Sequence, residues 1–235
     1  MQTDFKTVKV ELEHGVAVLR MDNPPVNQMS QDFMTELDRA VRAALADAEI
    51  KALVLTGAGK NFVAGGDVAE MLPEKDKARF VERLMWVHRL FNVMEQGPKP
   101  VIAALNGNCL GGGLEMAMAC HYRVAAPGIS VGLPEVTLGL IPGSAGTQRL
   151  PRLIGLPEAL DLMTTGRFIK AEKAWSLGLV DELAPADKLV EAALAAAAKF
   201  LNGHFTYKTR VASRRFDRLP SALEKADLLS FARAN

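Results

Sequence analysis

The sequence predicts an α/β core with a parallel sheet covered by helices, followed by a helical C-terminal region. Two observations carry this. As far as Gly146, short apolar stretches alternate with segments of helical spacing, the rhythm of βαβ units. Beyond Gly146 helical patterns dominate and few strand signals remain. Composition agrees: 235 residues with 49% hydrophobic and 23% charged can bury a sizeable core and do not describe a disordered chain.

Residues 8–12 and 16–19 are β-prone and flank His14-Gly15, which reads as a hairpin. The prolines of Asn23-Pro24-Pro25-Val26-Asn27 disfavour helix and mark a turn-rich passage. Ser30 can cap a helix carrying Phe33, Leu37, Val41, Ala44 and Leu45. A short apolar strand follows at 52–55, then a second amphipathic helix marked by Phe80, Leu84, Val87, Phe91 and Met94, then a strand at 100–105. Residues 129–131 form a further strand, and 189–201, with an alanine run, form a packed helix. The reading is a core over residues 1–183 and a helical region over 184–235.

Several function classes drop out. The 28 Lys and Arg against 27 Asp and Glu leave a net charge of +1, with no basic stripe to suggest nucleic acid. Cys109 and Cys120 are the two cysteines, which excludes a disulfide scaffold and suits a reducing compartment; both read as small buried residues. A polar, mixed-charge N-terminus and the lack of a membrane-length apolar run complete the expectation of a soluble, cytoplasmic protein. His14, His88, His121 and His204 show no ligand spacing, so no metal is expected. His121 follows a predicted helix, where it favours the C-terminal dipole.

Two segments share one design of strand, glycines and helix: Ala52-Leu-Val-Leu-Thr through Phe62-Val63-Ala64-Gly65-Gly66-Asp67, and Val101-Ile-Ala-Ala-Leu through Gly111-Gly112-Gly113-Leu114-Glu115. Glycine lets backbone N–H groups approach a ligand closely, and a helix start adds unpaired donors. Gly66 and Gly112 are therefore candidates to give one N–H each to a developing oxyanion, although either segment alone is also what a tight strand-to-helix turn looks like. Neither has dinucleotide or phosphate-loop spacing. Glu115 lies in the first turn of a helix whose neighbours Leu114, Met116, Ala117, Met118 and Ala119 are apolar, so a carboxylate there needs a partner or a task. Glu135, in Gly132-Leu133-Pro134-Glu135, reads alone as a surface loop acid, and Asp67 with Glu70 as a capping box.

Together these residues resemble the crotonase (enoyl-CoA hydratase/isomerase) superfamily. The likeness runs through Asn23-Pro-Pro-Val-Asn27, Lys60-Asn-Phe-Val-Ala-Gly-Gly-Asp67, Pro100-Val-Ile-Ala-Ala-Leu-Asn-Gly107, Gly111-Gly-Gly-Leu-Glu115, Leu133-Pro-Glu135, Gly139-Leu-Ile-Pro-Gly143 and Gly146-Thr-Gln-Arg-Leu150. Cys120-His-Tyr-Arg-Val-Ala-Ala-Pro127 is similar to the hydratase module of multifunctional fatty-acid oxidation proteins. Gly66 stands where many relatives carry alanine, and Ser144-Ala145 where Ala-Gly is more usual. The resemblance implies a crotonase-like spiral of ββα units, a C-terminal region supporting a homotrimer or homohexamer, and an acyl-CoA thioester whose carbonyl rests between the N–H groups of Gly66 and Gly112. It implies catalytic roles for Glu115 and Glu135, and CoA or substrate contacts around Val26, Lys60, Phe62, Ala64, Gly65 and Asp67. No cofactor is implied, coenzyme A being part of the substrate.

Hydration of a 2-enoyl thioester needs a base for the water, a proton for Cα and stabilisation of enolate-like charge. Glu115 would take the water proton and Glu135 would deliver one to Cα, each transfer being worth about 10²–10⁴-fold. The alternatives are a Δ3,Δ2-enoyl-CoA isomerase, where one glutamate shuttles a proton, and a non-catalytic CoA-thioester binding protein. The apolar faces of 189–201 and of Leu223, Leu228, Leu229 and Phe231 exceed what a short core obviously covers, which points to oligomer contacts.

Overall fold

Strand β1 (Val8–Glu13) pairs antiparallel with β2 (Val16–Met21), Val8 opposite Met21 and Glu13 opposite Val16. The intervening His14 and Gly15 both have positive φ, 49° and 79°, as a tight two-residue hairpin demands. Helix α1 (Gln31–Ala46) starts at Ser30, whose Oγ accepts from the Phe33 N–H, and buries Phe33, Leu37, Val41 and Ala44. The computed structural model describes residues 4–71 and 75–205.

The chain then alternates between two sheets. Strands β3 (Ala52–Gly57) and β4 (Asn61–Ala64) lead to the short α2 (Val68–Met71) and to α3 (Lys77–Gln96). Strands β5 (Val101–Leu105) and β6 (Asn108–Leu110) lead to α4 (Gly112–Met118), and β7 (Tyr122–Ala125) and β8 (Ser130–Gly132) lead to a 3₁₀ turn at Glu135–Leu138. Helices α5 (Gly146–Ile154) and α6 (Leu156–Thr165), strand β9 (Ile169–Lys170), α7 (Ala171–Leu177), β10 (Glu182–Leu183), a 3₁₀ turn at Ala186–Lys188 and α8 (Leu189–Leu201) complete the described chain. The larger sheet has the order β1-β2-β3-β5-β7-β10 and the smaller β4-β6-β8-β9. Pairing is parallel except at β1–β2 and β8–β9. After the β1–β2 hairpin, the pairs β3–β4, β5–β6 and β7–β8 each add one strand to each sheet before a helix or 3₁₀ turn, and this repetition winds the chain into a spiral of ββα-like units.

The crossings between sheets are tight. A Cβ on Gly57 would lie 2.1 Å from the Asn61 carbonyl oxygen, and one on Gly107 only 2.0 Å from that of Lys60. Asn106 joins the turns, its Oδ1 accepting from Gly57 N (2.9 Å) and its Nδ2 donating to Gly59 O (3.1 Å). Strands β4 and β6 were not expected from the sequence: each has three or four residues, with Asn61 and Asn108 diluting the apolar signal, and their partners are distant in sequence.

Alternate residues of the larger sheet face opposite ways. Leu19, Leu55, Ala103 and Leu105 enter the main core with α1, α3 and α4. Val18, Val54, Ile102, Ala104 and Val124 enter a second core capped by Leu189, Ala193, Ala196 and Ala197 of α8. The sheet of the same chain covers most of the α8 face and leaves Leu201 about half exposed. The second apolar set, Leu223, Leu228, Leu229 and Phe231, lies outside the described residues.

Candidate active site

A cavity of about 510 Å³ opens between α2, α3, α4, the 3₁₀ turn after β8 and the loop before α5, and Gly66, Gly112, Glu115 and Glu135 all line it. Its remaining wall is mostly apolar, including Met29, Met34, Met71, Leu84 and Val87, with His88 and Ser144 among the polar groups. The four residues singled out for chemistry therefore converge on one space, although they come from three different segments: the loop after β4, the start of α4 and the 3₁₀ turn after β8.

The two glycines arrive by matching routes. Gly112 is the first residue of α4, so its N–H is one of the donors an α-helix leaves unpaired. Gly66 follows β4, where Met29 N donates to Gly65 O (2.9 Å) in an isolated parallel bridge. That bridge is made through Met29 and the residues flanking Gly66, so it leaves the Gly66 N–H unused. A Cβ at Gly112 would sit 3.9 Å from Gly66 N and only 2.6 Å from Met29 Sδ, so any larger residue would intrude on the space beside both donors. At Gly66 a Cβ would meet only the far end of the Met71 side chain, its Sδ at 3.0 Å.

Glu115 is buried on the first turn of α4. Its Oε1 accepts two hydrogen bonds of 2.7 Å, from Ser144 N and Gly146 N. Burial raises its pKa above the usual carboxylate range, while these two donors, His88 and Arg149 pull the other way. Gly146 is required here, since a Cβ would lie 2.9 Å from Glu115 Oε1 and 2.8 Å from Pro142 Cβ. The preceding Ala145 has φ +72°, a left-handed conformation that glycine adopts without cost.

Glu135 is not the surface loop acid that its motif alone suggests. It opens the 3₁₀ turn, half-buried, with Oε2 buried and lacking a hydrogen-bond partner among the described residues. Burial, with a smaller contribution from the Glu115 charge, pushes its pKa up to about 7. Gly111 makes room for it: with φ +52°, a Cβ there would stand 3.3 Å from Glu135 Oε1. The site thus holds one carboxylate fixed by two N–H groups and one carboxyl that gains and loses its proton near neutrality.

The residues expected around CoA are less uniform. Val26 lies against β4, its carbonyl accepting from Ala64 N (3.2 Å), and Gly65 follows directly. Asn27, with φ +56°, ties this passage down by donating from Nδ2 to the carbonyls of Ala58, Asn61 and Phe62 at 3.0–3.2 Å. Lys60 is exposed on the β3–β4 turn. Asp67 accepts from Gln28 Nε2 (2.6 Å) and Glu70 N (3.1 Å). Only half of the capping box forms, because the Glu70 carboxylate turns to Gln31 N (3.0 Å) and Arg83 (2.7 Å) instead. Phe62 is a correction: its ring is fully buried in the main core, so it supports β4 rather than facing a ligand.

His121, read as a structural residue after the α4 helix, makes a structural contact. Its Nδ1 accepts from Val101 N (3.0 Å), which ties the end of α4 to β5 and requires that nitrogen to be unprotonated. Cys109 and Cys120 are buried as expected, and burial holds both thiols up, Cys120 at about 12. Arg123, which sequence reasoning passed over, is fully buried and donates to Ala117 O (3.3 Å), Cys120 O (2.8 Å) and Leu179 O (2.8 Å), with Asp181 as counter-charge (2.8 Å). It clamps the far end of the helix that carries Glu115. The Ser144 and Gly146 donors were also missed as contacts, although the motif Gly146-Thr-Gln-Arg-Leu150 had marked the segment.

Among the described residues, no three His, Cys, Asp or Glu side chains cluster as a metal site would require, and no helix is long and apolar enough to cross a membrane. The sequence model of the family described as Enoyl-CoA hydratase/isomerase matches residues 11–225. A probable enoyl-CoA hydratase of Bacillus subtilis is 42% identical over 200 residues, covering 83% of this chain and 76% of that protein. A peroxisomal fatty acid beta-oxidation multifunctional protein of Arabidopsis thaliana is 40% identical over 99% of this chain, which spans 32% of that relative's length. Among solved structures, an enoyl-CoA hydratase of Bacillus anthracis superposes with a TM-score of 0.79 at 32% identity, over 97% of this chain and 90% of that one. Another from Geobacillus kaustophilus gives 0.81 at 28%, over 99% and 96%. The spiral of ββα units is thus the crotonase fold, and the chain belongs to the enoyl-CoA hydratase/isomerase family.

Proposed function

We propose that this chain adds water across the 2,3 double bond of a 2-enoyl-CoA thioester. The observation that carries the reading is the pair of unlike carboxyls in one cavity: Glu115 held by two N–H donors, and Glu135 with an oxygen that has no partner among the described residues and a pKa of about 7. In this mechanism the thioester oxygen lies between the N–H groups of Gly66 and Gly112. Glu115, ionised, takes a proton from water as its oxygen bonds to Cβ. Negative charge gathers on the thioester oxygen, and Glu135, protonated, delivers its proton to Cα. One donor of such an oxyanion pair is worth about 3–4 kcal/mol in the transition state. Two carboxyls in unlike surroundings, one anchored by two N–H donors and one with a buried oxygen left unpaired among the described residues, are the arrangement that acid and base roles call for.

CoA would run past Val26, Lys60, Ala64, Gly65 and Asp67, and the Met- and Leu-lined wall would take the acyl chain. Assembly as a homotrimer or homohexamer belongs to the same proposal. An isomerase would need Glu135 alone to move a proton between carbons, and its oxygen without a partner among the described residues and its near-neutral pKa suit that as well. A spectrophotometric assay with crotonyl-CoA and longer 2-enoyl-CoAs tests the proposal. Hydration removes the conjugated thioester absorbance, and an enzyme that leaves it untouched while converting 3-enoyl-CoA to 2-enoyl-CoA is an isomerase instead.

A further inference from the structure

Helix α3 carries a polar stripe, His88, Asn92 and Glu95, at the three- and four-residue spacing that aligns side chains on one helical face. The whole stripe engages the segment that holds Glu115. His88 Nε2 lies 2.7 Å from Gly143 O; a carbonyl only accepts, so this nitrogen carries the proton. Arg149 donates to Ser144 O (3.1 Å) and is itself fixed by Glu95 (2.9 Å) and Asn92 Oδ1 (3.0 Å). Two consecutive carbonyls, 143 and 144, are therefore tied directly or through Arg149 to one face of α3. The N–H groups of Ser144 and Gly146, in the same short stretch, are the two donors to Glu115 Oε1.

We propose that His88 is a positioning residue for Glu115, acting through the Gly143 carbonyl to hold the Ser144 and Gly146 N–H groups on the carboxylate. The role rests on the reading that Glu115 is the base for water. The stretch needs such a tether because Ala145 occupies a left-handed conformation at its centre, so the backbone does not favour this shape unaided. His88 also lines the cavity, which gives the rival role of direct proton transfer to substrate. The titratable and charged groups facing Glu115 are His88 from α3, Arg149 from α5 and, across the cavity, Glu135.

His88→Ala removes the donor, whereas His88→Gln places an amide N–H near the lost Nε2 and cannot shuttle a proton. If His88 positions, the Ala variant loses about 10²-fold in kcat, as a misplaced catalytic group does, with KM for crotonyl-CoA little changed. The Gln variant recovers most of that loss. Equal loss in both variants, or wild-type kcat in the Ala variant, overturns the proposal. A second measurement does not depend on turnover. The Glu115 carboxyl, followed by carbon NMR with labelled glutamate and assigned through Glu115→Gln, titrates higher in the Ala variant than in the Gln variant, because both are uncharged and only one restrains the two N–H donors. Identical titration overturns the positioning role even if the hydratase reading fails, and retained CoA binding and melting temperature show that each variant is folded.

Discussion

Removing the proton from Glu135 by raising the pH should stop hydration, because the Cα proton is delivered from that carboxyl. Its Oε2 is buried without a partner among the described residues, and the neighbouring Glu115 charge adds to the penalty on ionisation. With a pKa of about 7, about half the free enzyme holds this proton at pH 7 and about one molecule in a hundred at pH 9. The kcat/KM for crotonyl-CoA should therefore fall about tenfold per pH unit on the alkaline side. The acid limb, set by Glu115 having to ionise, should lie above the ordinary carboxylate range. Because the two groups interact, the limbs belong to the pair until variants assign them. Initial rates between pH 5 and 9.5 provide the assay, with Glu135→Gln as the assignment. A kcat/KM that stays level to pH 9.5, or an alkaline limb that survives in Glu135→Gln, refutes the role of Glu135. The same shifts act on stability. Both carboxyls bind protons more tightly folded than unfolded, so the stability they contribute is complete below the unfolded value of 4.5; the Glu135 share is lost as pH rises through about 7, and the Glu115 share as pH rises through its own raised value.

Glu115→Gln should lower kcat by at least about 10²-fold with little change in KM, because the amide oxygen can still accept from Ser144 and Gly146; steady-state kinetics checks both terms. Ala145→Gly relieves a left-handed alanine and should stabilise the fold by about 0.5–1 kcal/mol, after the greater freedom of glycine in the unfolded chain is counted, as read by urea unfolding. Arg123→Met removes the ion pair with Asp181 and the side-chain hydrogen bonds to three carbonyls, which should cost about 3–5 kcal/mol; the same unfolding experiment measures it. Light scattering on the purified protein should give a trimer or hexamer mass, and a concentration-independent monomer refutes that assembly.

The element order was legible because it depends on local pattern. Ser30 followed by Phe33, Leu37, Val41 and Ala44 can bury one face only as a helix, and the apolar runs at β3 and β5, buried throughout, are what strands covered on both faces require. The glycine-led segments and the two glutamates were legible as candidates through their motifs. Which faces those elements share was not written locally. Strands β4 and β6 exist because each pairs with a neighbour that lies more than 20 positions away, and no window around Asn61 or Asn108 carries that information. Glu135 looks like a surface acid until α4 and Gly111 surround it, and its near-neutral titration follows from burial, a property of the folded environment. Phe62 belongs to a motif read as ligand-facing, yet packing against the core claims its ring. The two N–H donors on Glu115, and the tie from His88 to Gly143, join residues 29 to 55 positions apart. Periodicity and turn chemistry act over a few residues and so determine the elements. Desolvation, hydrogen-bond partners and cavity shape arise only when distant segments meet, and they turned two ordinary glutamates into an unlike pair.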